Sequence, residues 1–196
     1  MAAWLVHGSR LRAGPPAGWK LLRLGAWALA GAVFAAYDQG GTLAYHEFAA
    51  GLVLHRGLAL GVTVPWIWVD DDRALQGGQD HWAIPKQLAA FEIGEEPASV
   101  RVLQEGLEAA AVRSSPRRVP PAPVASGFTI VQPEADGLAL ARARIAGRLR
   151  LSHSRWRGRG ALAFLSGRPV FSAELSGLRL EVGPARRSAT NPRVHR

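Results

Sequence analysis

A chain of 196 residues, 48% hydrophobic and 20% charged, fits one domain and can bury a core, which excludes wholesale disorder. It has no cysteine, so a disulfide framework, thiolate catalysis and cysteine-ligated metal are all excluded. The net charge of +9 invites anionic partners, but Arg186, Arg187, Arg193 and Arg196 fall in the acid-free segment Pro184–Arg196, which reads as a solvated, frayed tail.

Residues 1–20 give no firm element, because Gly14-Pro15-Pro16 breaks any helix. Leu24–Tyr37 is uncharged over 14 residues, too short for the roughly 20 that cross a bilayer, and lies behind Arg10, Arg12, Lys20 and Arg23 without a secretory layout. It is expected as core strand in a cytoplasmic protein. Asp38-Gln39-Gly40-Gly41 signals a turn. Thr42–Phe48, Leu52–Leu54 and Leu58–Val64 follow as short apolar runs with Gly-containing breaks, the pattern of antiparallel sheet. Val62–Val69 reads as a strand with Pro65 at an edge or bulge. A turn at Asp70–Arg73 leads to a short helical turn over Ala74–Gly77.

Beyond Leu88, the segments Ala90–Ile93, Val100–Gln104 and Leu107–Val112 form a meander with Glu105-Gly106 at a hairpin tip. Arg113–Gly127, with four prolines, reads as an exposed loop, and Phe128–Val131 as a strand. Residues 138–151 alternate, with Arg148 and Arg150 on one side and Leu149 and Leu151 on the other, as in a half-buried strand. Ala161–Leu165 and Val170–Val182 complete the set. The fold class is therefore mostly β (α+β at most), closed or nearly closed, with a few short helices. Three segments are expected: an ill-defined residues 1–20, a domain over 21–184 and a basic tail over 185–196.

The chemistry centres on Gly77-Gly78-Gln79-Asp80-His81-Trp82-Ala83-Ile84-Pro85-Lys86-Gln87-Leu88. The chain has only two lysines, Lys20 and Lys86; its other 22 basic residues are arginines. Arginine cannot serve as a neutral amine at ordinary pH, whereas a desolvated lysine can. An exposed lysine titrates near about 10.4; desolvation favours the free amine, which can attack a ketone to form a Schiff base. Alternation sets Tyr45 and Glu47 on one face with His46 on the other. An extended reading groups Ile84, Lys86 and Leu88, and Trp66, Trp68 and Trp82 are close enough in sequence to wall the amine. The bland reading is a lysine whose stem lies along the surface with its ammonium in water. His46 and His81 lack further ligand spacing, and Asp70–Asp72 reads as a turn, so no metal and no organic cofactor is expected.

The run Gly-Gly-Gln-Asp-His-Trp-Ala-Ile-Pro-Lys-Gln-Leu-Ala resembles the lysine signature of the acetoacetate decarboxylase family. Tyr45-His46-Glu47, 39 residues before the lysine, resembles the family's tyrosine-x-glutamate segment, and Gly183-Pro184 is also similar. The resemblance spans roughly residues 21–184. It implies a β-cone or barrel-like fold, self-association as a homo-oligomer, Lys86 as the Schiff-base lysine, and Glu47 as the carboxylate that positions substrate or relays a proton. Trp68, Trp82, Ile84 and Tyr45 are the expected substrate-binding residues. The resemblance, rather than the residues alone, also implies activation of the lysine by desolvation or a cationic neighbour. The chain departs from the family at Gln87, where the decarboxylases carry a second lysine, at Gln79-Asp80 in place of Arg-Glu, and near Ala32, where a second glutamate would fall.

The expected activity is that of a Schiff-base lyase acting on a β-keto acid or related small carbonyl compound. The alternative is a non-catalytic member of the same fold that holds an apolar small molecule. A third possibility is nucleic-acid binding through residues 142–159, which carry seven arginines and no acid. It is set aside because the alternation there is that of a solvated strand face and no recognition motif is present. No membrane partner is expected.

Overall fold

The computed structural model describes residues 1–38, 40–94 and 98–189. Its strands are β1 (Ala2–His7), β2 (Lys20–Leu21), β3 (Arg23–Leu24), β4 (Trp27–Tyr37), β5 (Tyr45–Arg56) and β6 (Ala59–Val69). The helix α1 (Asp72–Trp82) follows, then β7 (Lys86–Leu88), β8 (Ala90–Gly94), β9 (Ser99–Gln104), β10 (Leu107–Pro116), β11 (Ala122–Glu134), β12 (Gly137–Gly158), a 3-10 segment (Gly160–Ser166), β13 (Phe171–Val182) and β14 (Arg186–Ala189).

The chain is mostly β, as expected. Its strands join in the order β11-β6-β5-β4-β1-β13-β12, and pairing of β11 with β12 closes this path into a ring. From β12 the sheet continues through β10, β9 and β8. Most pairings are antiparallel; β6–β11 and β6–β7 are parallel. Two apolar clusters lie on opposite faces of the ring strands. One gathers Trp4, Phe48, Leu52, Leu54, Trp68 and Trp156. The other gathers Ala49, Ile67, Ile84, Ile130, Ala141 and Ala143, with Trp82 packed against it.

Hairpin chemistry matches the sequence where the turn is short. Gln104 pairs with Leu107, and the two residues between them, Glu105 and Gly106, both have positive φ (50° and 76°), the geometry of a tight primed turn.

Several expectations are corrected. Ala161–Leu165 is a 3-10 segment that buries Leu162, Phe164 and Leu165; a five-residue apolar run fits either state by periodicity. The Arg113–Gly127 loop shrinks to residues 117–121, because Pro116 ends β10 and Pro123 sits one residue into β11, positions near strand ends that tolerate proline. The helical turn at Ala74–Gly77 is an 11-residue helix. Residues 1–20 include β1, whose Trp4 is 2% exposed in the core. Within the expected tail, Arg186–Ala189 pairs with Gly137–Leu140, and residues 190–196 lie outside the described residues. Among the described residues no helix is long and apolar enough to cross a membrane.

Candidate active site

Lys86 reaches its position through a local sequence of restraints. Asp71 caps α1, its carboxylate accepting from the Ala74 N–H at 2.9 Å, the usual role of an aspartate before a first turn. The helix ends at Ala83, which takes the left-handed conformation (φ 52°) while its N–H bonds to the Gln79 and Gly78 carbonyls. Pro85 prevents the helix from resuming. The chain then enters β7, where Lys86 lies beside Ile67 in a parallel ladder with β6. Gln79 Nε2 donates to the Lys86 carbonyl at 2.9 Å, so the helix holds the strand that follows it.

Glu47 arrives from β5, opposite Ala35 of β4 and Val69 of β6. Lys86 Nζ donates to Glu47 Oε2 at 2.7 Å. Lys86 is 6% exposed and Glu47 8%, so this is a buried ion pair. Its burial costs several kcal/mol per ion unless the partners stay together.

Two phenols complete the surroundings. Tyr45 donates to Glu47 Oε2 at 3.4 Å, and Lys86 Nζ stands 5.2 Å from the centroid of its ring, a cation–π distance. Tyr37 is directly opposite Tyr45 in the β4–β5 ladder, and the two rings stack at 4.8 Å. Burial first, and the Glu47 charge second, push both phenols well above the usual tyrosine range. Both are therefore proton donors rather than bases at neutral pH.

Of the residues expected from sequence, Lys86, Glu47 and Tyr45 come together. Ile84 and Trp82 join the apolar cluster on the Lys86 face, with the Trp82 indole N–H bound to the Gly183 carbonyl at 2.9 Å. Trp68 does not join them. It pairs with Phe48, and the two rings pack at 5.9 Å on the opposite face. Its indole donates to Gln104 Oε1 at 3.0 Å, and Gln104 Nε2 donates to Gln87 Oε1 at 2.7 Å. Trp68 thus braces β7 from behind. Gln87 alternates away from Lys86 in the same strand, and Leu88, expected beside Lys86, is 48% exposed. His46 lies off the site, with Nδ1 2.6 Å from Asp70 Oδ2, and His81 packs edge-on against Trp82.

Two contributors were missed as individual residues. Gly78 is buried where the lysine stem crosses α1: a Cβ there would lie 2.5 Å from Lys86 Cδ and 2.6 Å from Cε. The signal was a glycine in the interior of a helical segment, which costs about 1 kcal/mol against alanine unless close approach requires it. Tyr37 is the other, and only strand pairing brings it to Glu47.

Comparisons with known proteins bear on the family and the fold. The family model described as acetoacetate decarboxylase (ADC) matches residues 4–170. No curated protein is a significant sequence match. Among solved structures, acetoacetate decarboxylase from Legionella pneumophila is similar with a TM-score of 0.69 at 13% identity, over 96% of this chain and 83% of that one. An acetoacetate decarboxylase-like enzyme from Sphingomonas wittichii RW1 is similar with a TM-score of 0.61 at 16% identity, over 97% and 90%. The enduracididine biosynthesis enzyme MppR, solved with the condensation product of pyruvate and imidazole 4-carboxaldehyde, is similar with a TM-score of 0.60 at 17% identity, over 91% and 85%. At these identities the likeness is one of fold.

Proposed function

Because this chain belongs to the acetoacetate decarboxylase family, we propose that it is a Schiff-base-forming lyase that acts through Lys86 on a β-keto acid or related small carbonyl compound. The observation that carries this reading is the buried contact of Lys86 Nζ with Glu47 Oε2 at 2.7 Å. A structural lysine has no need of a dry site, whereas an imine-forming one gains from it. On this reading the protein is a cytoplasmic homo-oligomer with a small carbonyl substrate.

The reaction begins when one proton passes along the Lys86–Glu47 contact, leaving a neutral amine and a carboxylic acid. The amine attacks the ketone carbon, and the carbonyl oxygen takes up a proton. Loss of water from the carbinolamine gives a protonated imine. The bond from the α-carbon to the carboxylate then breaks. Its electron pair moves toward the iminium nitrogen, giving an enamine, and carbon dioxide leaves. Protonation of the enamine carbon and attack of water return the ketone product and the amine. Glu47 carries protons between these steps, and the Tyr45 hydroxyl steadies its charge. The enamine could equally add to an aldehyde, the reaction class suggested by the condensation product bound to MppR.

The experiment is borohydride trapping with a panel of β-keto acids and ketones, read by intact mass and peptide mapping. The expected result is one reduced adduct per chain on Lys86, absent in Lys86→Met. No adduct with any carbonyl compound overturns the proposal and leaves the non-catalytic binding member as the better reading.

A further inference from the structure

The structure has a concavity that shares no lining residue with the Lys86 site. Strand β12 pairs with β13 over residues 143–151. The two then part: β13 starts at Phe171 and pairs there with β1, while β12 continues to Gly158 beside β10. An open cleft of about 1680 Å³ lies at this fork. Its lining includes Arg113 from β10, Arg155 and Arg157 from β12, Arg117 just beyond β10, and Arg168 from the segment before β13, and it contains no carboxylate.

Nearby acids compensate little of this charge. Glu108 reaches Arg157 at 3.6 Å, and Glu174 accepts from Ser114 at 2.9 Å. Among the described residues, Arg113, Arg117, Arg155 and Arg168 make no ion pair. Arg113 and Arg155 are moreover direct cross-strand neighbours, an arrangement in which like charges destabilise the sheet. A third observation is the hydroxyl of Ser152, which lines the cleft, is 2% exposed as a residue and has no hydrogen-bond partner among the described residues. Buried hydroxyls in this state are uncommon.

We infer that this cleft binds a small anion bearing two or more phosphate groups. Guanidinium forks match phosphate oxygens two at a time and bind them more strongly than neutral donors do. The cleft exceeds the roughly 300–1,000 Å³ of ordinary small-molecule sites, so it can admit an extended polyphosphate with its hydration. A nucleic acid would need cations along a continuous track. Here the arginines of residues 142–159 are divided: Arg142, Arg144, Arg148 and Arg150 lie where β12 pairs with β11, β13 or both, and only Arg155 and Arg157 of that run line the cleft. Convergence from three chain segments on one hollow favours a compact ligand. This inference does not depend on the chemistry at Lys86.

The test uses the full chain and isothermal titration with inorganic tripolyphosphate, at low and at physiological salt. Saturable binding at one site per chain is expected. In Arg113→Ser/Arg155→Ser the dissociation constant should rise by about tenfold or more, the scale of losing a charge-assisted hydrogen bond. Arg142→Ser/Arg144→Ser removes two charges from the same strand outside the cleft and should leave the affinity within about threefold, because it touches no lining residue. Both variants should melt within about 2 °C of the wild type and keep the yield of carbonyl adduct on Lys86. Absence of saturable binding overturns the inference, as does equal weakening by the two double variants. Tighter binding of a single-stranded oligonucleotide with a steep salt slope also overturns it, in favour of nucleic acid.

Discussion

The Lys86 site and the arginine cleft handle charge in opposite ways. At Lys86 one cation and one anion are buried together, with the Gln79 side chain of α1 holding the Lys86 backbone and two phenols beside the pair. In the cleft, Arg113 and Arg155 are cross-strand neighbours in the ladder and neither makes an ion pair among the described residues. A buried pair is screened little by salt, while exposed charges are screened within a Debye length of about 8–10 Å. The same chain therefore carries one electrostatic feature that is structural at any ionic strength and one whose cost and use both depend on what is dissolved around it.

The largest expected effect comes from breaking the compensated side. Lys86→Met leaves the Glu47 carboxylate buried without its cation and should destabilise the fold by about 3–5 kcal/mol, measured by urea unfolding. Adding Glu47→Gln should recover most of this, because the uncompensated charge is gone, while carbonyl adduct formation stays abolished. Failure of the second substitution to recover stability would mean that the lysine stem, not the charge pair, is what the site requires.

Gly78→Ala comes next. In an open helix it should stabilise by up to about 1 kcal/mol. Here the new Cβ would meet the lysine stem at 2.5 Å, so we expect a net loss of about 1–3 kcal/mol, the usual cost of overpacking. Displacing Nζ by about 1 Å should also lower the rate of adduct formation by about a hundredfold. A stabilised, fully reactive variant would show that the stem has another route.

These residues also show how far the sequence could be read. Lys86 and Glu47 stand out in the sequence through residue type, period-2 alternation and the family resemblance together: one of only two lysines in an arginine-rich chain, Tyr45 and Glu47 two apart, and the signature around Pro85-Lys86. The sequence assigns Trp66 and Trp68 to no face, because both alternants of Trp66-Ile67-Trp68-Val69 are apolar and a one-residue change of phase exchanges the faces. Only the pairing of Phe48 with Trp68 decides it. The ring closure, by contrast, rests on the β6–β11 and β1–β13 pairings between segments far apart in sequence, which no local pattern reports. The cleft was invisible for the same reason, since it exists only where β12 and β13 diverge.

Alkaline pH separates the site from bulk solvent by another route. Tyr37 and Tyr45 are the chain's two tyrosines, so phenolate absorbance reports this site alone. Unfolded, both ionise near pH 10; folded, burial and the Glu47 carboxylate keep them protonated well beyond that. Above about pH 10 the unfolded chain has released protons that the folded chain retains, so stability is full below that pH and falls as pH rises from it. Phenolate absorbance should therefore appear together with loss of the far-ultraviolet β signal. Reversible ionisation near pH 10 in the intact fold would place the phenols in water.

The smallest effect belongs to the uncompensated side and has the opposite sign. Arg113→Ser removes one member of a like-charge cross-strand pair and no ion pair. It should raise stability by a few tenths of a kcal/mol at low salt and by nothing measurable in high salt, where the repulsion is already screened. Tripolyphosphate should do to the wild-type chain what the substitution does, raising the melting temperature in proportion to occupancy, and should have a smaller effect on the Arg113→Ser variant. If the substitution is neutral at low salt, Arg113 and Arg155 already point apart into solvent. The cleft would then lack the repulsion that makes it ask for an anion.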